Sequence, residues 1–179
     1  MPARDVSVNW QPISLLEKNK PAPDSDYYTP VFRTHRALRV MESVRTTDGN
    51  DGVFKLYWEL GRRIHHDGDR EFAIGDALTS VGLAGSHAAA FDDEAWDDEI
   101  RRRMNVGLEL AGDDIGTPII AFDDVKGDRV ALFGPVITRV PESELSLQLW
   151  DAFVAMATVP GFWEVKRTRT ERPEFGQRP

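Results

Sequence analysis

The sequence contains no cysteine among its 179 residues. This absence excludes disulfide bonds, zinc–thiolate sites and thiol nucleophiles for this polypeptide. No residue of the chain can therefore act as a sulfur nucleophile, whatever fold the chain adopts.

Long apolar runs and an excess of positive charge are also missing. No apolar stretch reaches the roughly 18 residues needed to span a bilayer, and Met1 to Asn9 mix polar with apolar residues, unlike a signal peptide. The formal net charge of −8 argues against a nucleic-acid-binding surface or a patch for anionic membranes. We therefore expect a soluble, cytoplasmic protein that binds neither nucleic acid nor membrane.

Strand-like and helix-like segments follow one another along the chain. Residues 6–13 alternate apolar with polar side chains and predict a strand, followed by a loop over 14–20 and a proline-rich linker over 21–26. Helices are predicted over residues 27–46, 53–65, 69–81, 87–91, 92–111 and 142–159, with a break at 48–52, and a β-hairpin over 118–133. This order indicates an α/β or α+β chain with a block of helices between its first strand and its hairpin.

A Gly-Thr-Pro segment leads directly into the apolar run Ile119 to Phe122. Proline has no N–H for a sheet ladder and belongs at the first position of a strand, so Pro118 predicts the entry to a buried strand. Two alternatives remain for the Thr117–Pro118 bond. One is an ordinary trans turn, which the local residues favour, and the other is a cis bond that exposes the backbone of Thr117 to a ligand.

Two other features have ordinary structural explanations. The charged run from Asp92 to Arg103 places acids before bases, as the dipole of a solvated helix favours. His65 ends a helical segment, a position more typical of a histidine that complements the helix dipole than of a ligand. We assign no metal site to His65 and His66, because adjacent helical side chains point apart and no acid is spaced to complete a site.

Several segments together resemble one known family. They are Asp114-Ile115-Gly116-Thr117-Pro118, Leu132-Phe133-Gly134-Pro135-Val136, Leu149-Trp150-Asp151-Ala152, the tail from Glu164 to Glu171, and Arg62-Arg63-Ile64-His65. On these segments the chain is similar, over nearly its whole length, to the mycothiol-dependent nitroreductases, cytoplasmic oxidoreductases of the DsbA-like branch of the thioredoxin superfamily. The resemblance implies a thioredoxin-like fold with an inserted helical domain, and it implies that Pro118 is the family's cis-proline.

The resemblance also implies three regions. Residues 1–20 and 112–165 correspond to the thioredoxin-like domain, residues 21–111 to the inserted helical subdomain, and residues 166–179 to a C-terminal tail. The thioredoxin-like domain is incomplete, because its first strand, first helix and Cys-Pro-Trp-Cys motif have no counterpart here. We therefore expect a truncated chain, or another copy or chain that fills the missing strand position and covers the exposed ladders.

The function implied by the resemblance is that of a thiol–disulfide oxidoreductase or nitroreductase, with mycothiol as the thiol co-substrate and no bound cofactor. The implied substrate- and thiol-binding residues are Thr117, Pro118, Asn19, Tyr27 and His65. Thr117 would offer its backbone N–H and C=O to an extended substrate. Because the catalytic cysteines are absent, we expect the chain as given to be inactive in thiol redox chemistry.

Two alternatives to this function stay open. The chain could be a redox-dead binding or interaction module, for example a homodimer that shares strands. A glutathione-transferase-like relative that uses a serine or a bound thiol ranks last, because no serine lies at a helix start directly after a first strand.

Overall fold

The computed structural model describes residues 4–178. Its helices are α1 (Leu15–Asn19), α2 (Tyr28–Gly61), α3 (Ile74–Ser80), α4 (Asp97–Ala111) and α5 (Ser143–Ala157), and its strands are β1 (Ile119–Asp123) and β2 (Arg129–Phe133). A π-helical turn follows α2 (Arg62–His66), and 3-10 turns span Gly85–Asp92 and Glu94–Trp96. A helix-rich chain with a small antiparallel sheet agrees with the predicted α/β class. None of the described helices is both long and apolar enough to cross a membrane.

The predicted strand over residues 6–13 is wrong. These residues lie outside every helix and strand, because no described segment pairs with them in a ladder. One side chain on α2 takes that role instead: Asn50 Nδ2 donates to Val8 O at 2.6 Å, and Trp10 N donates to Asn50 Oδ1 at 2.8 Å. The Trp10 ring stacks on Tyr57, with 5.2 Å between the ring centroids. The backbone of Val8 and Trp10 and the Trp10 ring therefore contact α2, whereas the side chains of Val6 and Val8 are exposed.

The stretch predicted as a loop over residues 14–20 contains α1. Ser14 caps this helix, because its Oγ accepts a hydrogen bond from Glu17 N at 3.2 Å. Lys20 ends the helix in the left-handed conformation, with φ of 44°. A helix of five residues is too short to show an apolar period, which is why the pattern did not predict it.

Helix α2 joins two helices that were predicted to be separated at residues 48–52. Gly49 has a non-helical conformation (φ 63°, ψ −155°), which interrupts the helical backbone and produces a kink. Gly52 allows the close approach at this kink, since a Cβ there would lie 2.4 Å from Cβ of Asp48 and 2.8 Å from Cγ1 of Val44. The break predicted at residues 48–52 is therefore confirmed at Gly49, where two helical segments meet at a kink within the 34-residue span of α2.

Two helices start later than predicted. Helix α3 begins at Ile74 rather than at Asp69, whose side chain instead accepts a hydrogen bond from Glu71 N at 3.0 Å. The predicted helix over 92–111 begins with a 3-10 turn capped by Asp93, and α4 follows it. In both cases an aspartate side chain bonds to the local backbone and competes with the first helical turn.

The predicted hairpin over residues 118–133 is confirmed. Strands β1 and β2 pair antiparallel, with Ile119 opposite Phe133. Asp124 holds the turn, because its Oδ1 accepts hydrogen bonds from two backbone N–H groups of the loop, at 2.8 and 2.9 Å. Gly127 supplies the positive φ of 85° that the turn requires.

The chain divides into two compact units. The helical unit contains Ser7–Asn105 and Arg178, and the hairpin unit contains Val106–Gln177 and residues 4–6. The core of the helical unit consists of the buried side chains Val40, Met41, Val44, Val53, Leu56, Leu60, Ala77, Leu78, Leu83 and Ala90. In the hairpin unit α5 packs on the sheet, where the rings of Phe153 and Phe122 lie 6.4 Å apart.

Candidate functional site

The loop before β1 contains two of the residues implied to bind substrate. The Thr117–Pro118 peptide bond is cis, and so is the Gly134–Pro135 bond that follows β2. The two loops are joined by a hydrogen bond, in which Gly134 N donates to Pro118 O at 2.8 Å. Both Thr117 and Pro118 are exposed. This bond extends the β1–β2 ladder by one residue pair beyond the strands themselves.

The position of that bond determines which backbone groups remain open. In an antiparallel ladder, residues that exchange hydrogen bonds alternate with residues whose N–H and C=O point to the other edge. Because Pro118 bonds to Gly134, the alternation directs the backbone groups of Ile119 and Ala121 away from β2. Within residues 4–178, no group bonds to the N–H or C=O of Thr117. The start of β1 thus offers free donors and acceptors along its outer edge.

Asn19 and Tyr27 are brought together in the helical unit. Asn19 is the last residue of α1, and Tyr27 directly precedes α2. The Asn19 amide Nδ2 donates to the Tyr27 hydroxyl oxygen at 3.2 Å. Both side chains are exposed, so the remaining hydrogen-bonding capacity of the amide and the hydroxyl is open to a ligand. This contact connects two residues that the sequence analysis selected separately.

His65 lies in the π-helical turn after α2. Burial of the imidazole lowers the pKa of His65 below its ordinary value, and the positive charges of His66 and Arg70 lower this pKa further. The neutral ring is therefore favoured. The role of His65 at the end of this helical turn stays a prediction.

Glu59 anchors the turn that carries His65. Its carboxylate accepts hydrogen bonds from Arg62 at 2.6 Å, Arg63 at 2.8 Å and Ser80 of α3 at 2.9 Å. Burial alone would raise the pKa of Glu59, but the hydrogen bonds from Arg63, Ser80 and Arg62 outweigh it and lower the pKa. The carboxylate is thus ionised and ties the end of α2 to α3.

The five predicted site residues fall into two groups. Thr117 and Pro118 are adjacent in the hairpin unit, whereas Asn19, Tyr27 and His65 belong to the helical unit. Within the helical unit the structure joins Asn19 to Tyr27 through a hydrogen bond. The assignment of all five to a thiol- and substrate-binding site stays a prediction.

The sequence analysis did not single out a polar network buried inside the helical unit. Ser14 Oγ and His35 Nδ1 lie 2.8 Å apart, and His35 Nε2 lies 3.0 Å from Asp97 Oδ1. Arg39 donates two hydrogen bonds to the Asp97 carboxylate, at 2.6 and 2.9 Å. Ser14 and His35 are only 0% and 1% exposed, so a ligand has no access to them. The spacing of His35 and Arg39, four residues apart on a mainly apolar helix face, was the available signal.

The network also fixes the charge of Asp97. Burial alone would raise the pKa of Asp97, but the hydrogen bond from Arg39 and the charges of His35 and Arg39 outweigh burial and lower the pKa. The deprotonated Asp97 carboxylate compensates the charge of the buried Arg39 guanidinium, and its hydrogen bonds offset the cost of burying both groups. The network therefore connects α1, α2 and the start of α4.

Three residues of this region have donor atoms close enough to share a metal ion. One ligand atom each from Glu17, His35 and Asp97 lie within 4.8 Å of one another. These atoms are already engaged, however: Arg101 pairs with Glu17 at 3.1 Å, and Arg39 binds both oxygens of Asp97. Guanidinium groups thus occupy the space and supply the charge that a cation would, so the donor set does not fit a metal centre.

Comparison with known proteins places these features in a family. The uncharacterized protein Rv2286c of Mycobacterium tuberculosis is 24% identical to the chain over 169 residues, which cover 92% of the chain and 70% of that protein. The model of the Rv2466c-like family, described as mycothiol-dependent nitroreductase Rv2466c, matches residues 2–167. The match therefore reaches into both units and contains all five described helices and both strands, together with the first two residues of the tail. On this evidence the chain belongs to the Rv2466c-like family of mycothiol-dependent nitroreductases.

Proposed function

We propose that the chain is a thioredoxin-like protein of the DsbA branch that binds a mycothiol-type thiol and an extended or disulfide-bearing substrate. Membership of the Rv2466c-like family supports the choice of thiol and of oxidoreductase chemistry. The chain itself has no cysteine, so the proposal includes no covalent step on its own residues. Its contribution is to bind and orient the reactants, while the reacting sulfur atoms come from other molecules.

The observation that carries the proposal is the open backbone of Thr117. Its N–H and C=O have no partner among residues 4–178, and Thr117 lies two residues before the start of β1. An extended substrate segment can pair with such an edge through main-chain hydrogen bonds, as an added strand does. Thr117 is exposed, so this pairing needs no displacement of another part of the hairpin unit.

The thiol is assigned to the Asn19–Tyr27 pair. Mycothiol carries sugar hydroxyl groups, and these match an exposed amide and an exposed phenol hydroxyl that each retain a free donor or acceptor. When bound, the thiol would supply the nucleophilic sulfur that the chain lacks. Asn19 and Tyr27 would orient its polar part by hydrogen bonds, and neither residue would form a bond to sulfur.

Calorimetric titration of the purified protein with mycothiol tests this assignment. Tyr27→Phe removes one hydroxyl and is expected to weaken binding about 2- to 13-fold, the loss of one hydrogen bond. Tyr57→Phe is the matched control, because Tyr57 is equally exposed on α2 and contacts Trp10 through its ring. Equal affinity for glutathione and mycothiol, or an unchanged affinity in Tyr27→Phe, would contradict the assignment.

A turnover assay tests the second half of the proposal. Reduction of a disulfide by mycothiol should proceed no faster with the protein than without it, since the chain provides no thiolate to form a mixed disulfide. Thiol–disulfide exchange faster than the uncatalysed rate, if it persists after contaminating thiols are removed, would contradict the expected inactivity. The binding result would then stand independently.

A second candidate function is a binding module that shares strands between two copies. The observation in its favour is that, within the described residues, β1 pairs with β2 alone and leaves its other edge free. Ala121→Pro would remove an N–H from that edge, while Ala131→Pro, its ladder partner, would remove one from the opposite edge of the hairpin. Light scattering should show a dimer that Ala121→Pro dissociates and Ala131→Pro does not. A monomer at all concentrations excludes this function.

A further inference from the structure

A cavity of about 270 Å³ lies inside the helical unit. It is slightly smaller than the roughly 300–1,000 Å³ of typical ligand pockets, a size that suits a small molecule. Its apolar wall includes Leu60, Ile64, Phe72 and Phe91. None of the five residues of the proposed thiol and substrate sites lines it, so it is a separate feature of the unit.

Two arginines interrupt the apolar wall, and no acidic residue lines the cavity. Within residues 4–178, no carboxylate forms an ion pair with Arg33 or with Arg70, although the chain carries a net charge of −8. Arg36, one turn from Arg33, shows the contrast because it pairs with Asp92. The wall of the cavity therefore holds positive charge that the protein itself does not neutralise.

A backbone hydrogen bond and two aromatic rings hold the guanidinium group of Arg33 in place. Its Nη2 donates to Phe72 O at 2.7 Å, and its guanidinium carbon lies 5.4 Å from the centre of the Phe72 ring and 5.9 Å from that of Phe91. A guanidinium has five N–H donors, and this one has a single hydrogen bond within the described chain. The remaining donors sit beside aromatic rings, half-buried, where a hydrogen bond to an anion is strongest.

We propose that this cavity binds a small organic monocarboxylate, whose apolar or aromatic body fills the space between Ile64, Phe72 and Phe91 and whose carboxylate pairs with Arg33 and Arg70. A neutral hydrocarbon would leave both guanidinium groups without a partner. Inorganic anions would gain nothing from the apolar wall. The combination of an apolar wall with unpaired guanidinium groups selects a ligand that is apolar at one end and anionic at the other.

Titration of the full chain with benzoate, followed by calorimetry and by thermal unfolding, tests the proposal. Benzoate should bind saturably and raise the unfolding temperature. Benzamide, which has the same shape without the charge, and inorganic phosphate, which has the charge without the ring, should each bind at least about 10-fold more weakly. Equal binding of benzamide or phosphate, or no saturable binding of benzoate, would overturn the proposal.

Three variants locate the binding. Arg33→Met should weaken benzoate binding roughly 10- to 150-fold, the effect of losing a hydrogen bond to a charged group, whereas exposed Arg70→Gln should weaken it about 2- to 5-fold. Arg172→Gln makes the same charge change in the exposed tail and should leave the affinity unchanged. If Arg33→Met does not fold, Arg70→Gln and the cavity-filling Ala37→Leu still test the site, because Arg70 is exposed and Ala37 lines the same cavity. Benzoate affinity retained in both of these variants would refute the site.

Discussion

The helical unit and the hairpin unit bury their apolar side chains to very different degrees. In the helical unit Val40, Val44 and Leu56 are completely buried, with many apolar neighbours. In the described part of the hairpin unit, Phe153 is the one buried apolar side chain, and the strand residues are half-buried or exposed. Since a two-stranded hairpin is marginally stable without further packing, the hairpin unit depends on the packing of α5 against its sheet.

Ion-paired side chains are also more deeply buried in the helical unit than in the hairpin unit. In the helical unit the side chains of Arg39, Glu42 and Glu59 are almost completely buried, and each has an ion partner. The ion pair between Arg129 and Asp123 in the hairpin has side chains that are 53% and 61% exposed. Exposed pairs contribute about 0–1 kcal/mol, whereas breaking a buried pair costs several times more. The comparison therefore predicts that the helical unit tolerates the loss of a charge much less well.

The largest expected effect comes from Asp97→Asn. This change removes the carboxylate that faces buried Arg39, and we expect the free energy of unfolding to fall by about 3–5 kcal/mol. Urea denaturation measures it. The control is Asp98→Asn, because the Asp98 side chain is 93% exposed and its loss should cost about 1 kcal/mol or less. Equal effects of the two changes would break the contrast between buried and exposed charges.

The same variant has a predicted pH dependence. The pKa of Asp97 is lower in the folded protein than in the unfolded chain, so the ionised carboxylate stabilises the fold. This contribution is complete above the ordinary aspartate pKa of about 3.9 and is lost as the pH falls through the lower folded pKa. Wild-type stability should therefore decline more steeply in this acidic range than that of Asp97→Asn. Parallel curves would show that Asp97 is not linked to folding.

Two large-to-small substitutions compare the apolar cores of the helical unit and the hairpin unit. Leu56→Ala should lower the free energy of unfolding by about 2–5 kcal/mol, because Leu56 is completely buried in the helical core. Phe153→Ala should cost about 3 kcal/mol or less, since half-buried neighbours such as Phe122 and Trp150 let water enter the space. Hydrogen exchange then separates the units: Phe153→Ala should accelerate exchange in β1, β2 and α5. Faster exchange in α2 as well would contradict this separation.

The smallest expected effects concern two glycines of α2. Gly52→Ala should destabilise the protein by about 1–3 kcal/mol, because the new methyl group would meet Asp48 and Val44 at the kink. Gly61→Ala should stabilise it by about 0.5–1 kcal/mol, since Gly61 is helical (φ −59°) and open space surrounds its Cα. Thermal unfolding of both variants measures the difference. Stabilisation by both changes would show that the packing at the kink is loose, and destabilisation by both would contradict the prediction for Gly61.

The sequence predicted the hairpin because each of its signals is local. Pro118 starts the strand, and the Asp and Gly residues of the turn lie within a few positions of it. The segment over residues 6–13 was misassigned because its alternation is typical of a strand, whereas no described strand pairs with it. Its backbone bonds instead to the side chain of Asn50, about 40 positions away, and no periodicity in the sequence connects them.

The candidate site was predictable to a smaller extent. Asn19, Tyr27 and Thr117 were selected through a family resemblance and not through spacing, and of these the structure adds the contact between Asn19 and Tyr27. The network of His35 and Asp97 joins residues that are 62 positions apart, so it depends entirely on how α2 and α4 pack. Side-chain contacts across such distances require coordinates.

The network around His35 has one further consequence. A serine, a histidine and an aspartate joined in this order are the components of a hydrolase triad, here with the two ring nitrogens exchanged relative to that arrangement. Ser14 nevertheless cannot reach an ester, because its hydroxyl is completely buried and accepts the first N–H bond of α1. A fluorophosphonate probe should leave the folded protein unlabelled. The same three side chains that cleave substrates in an open cleft serve here to cap a helix.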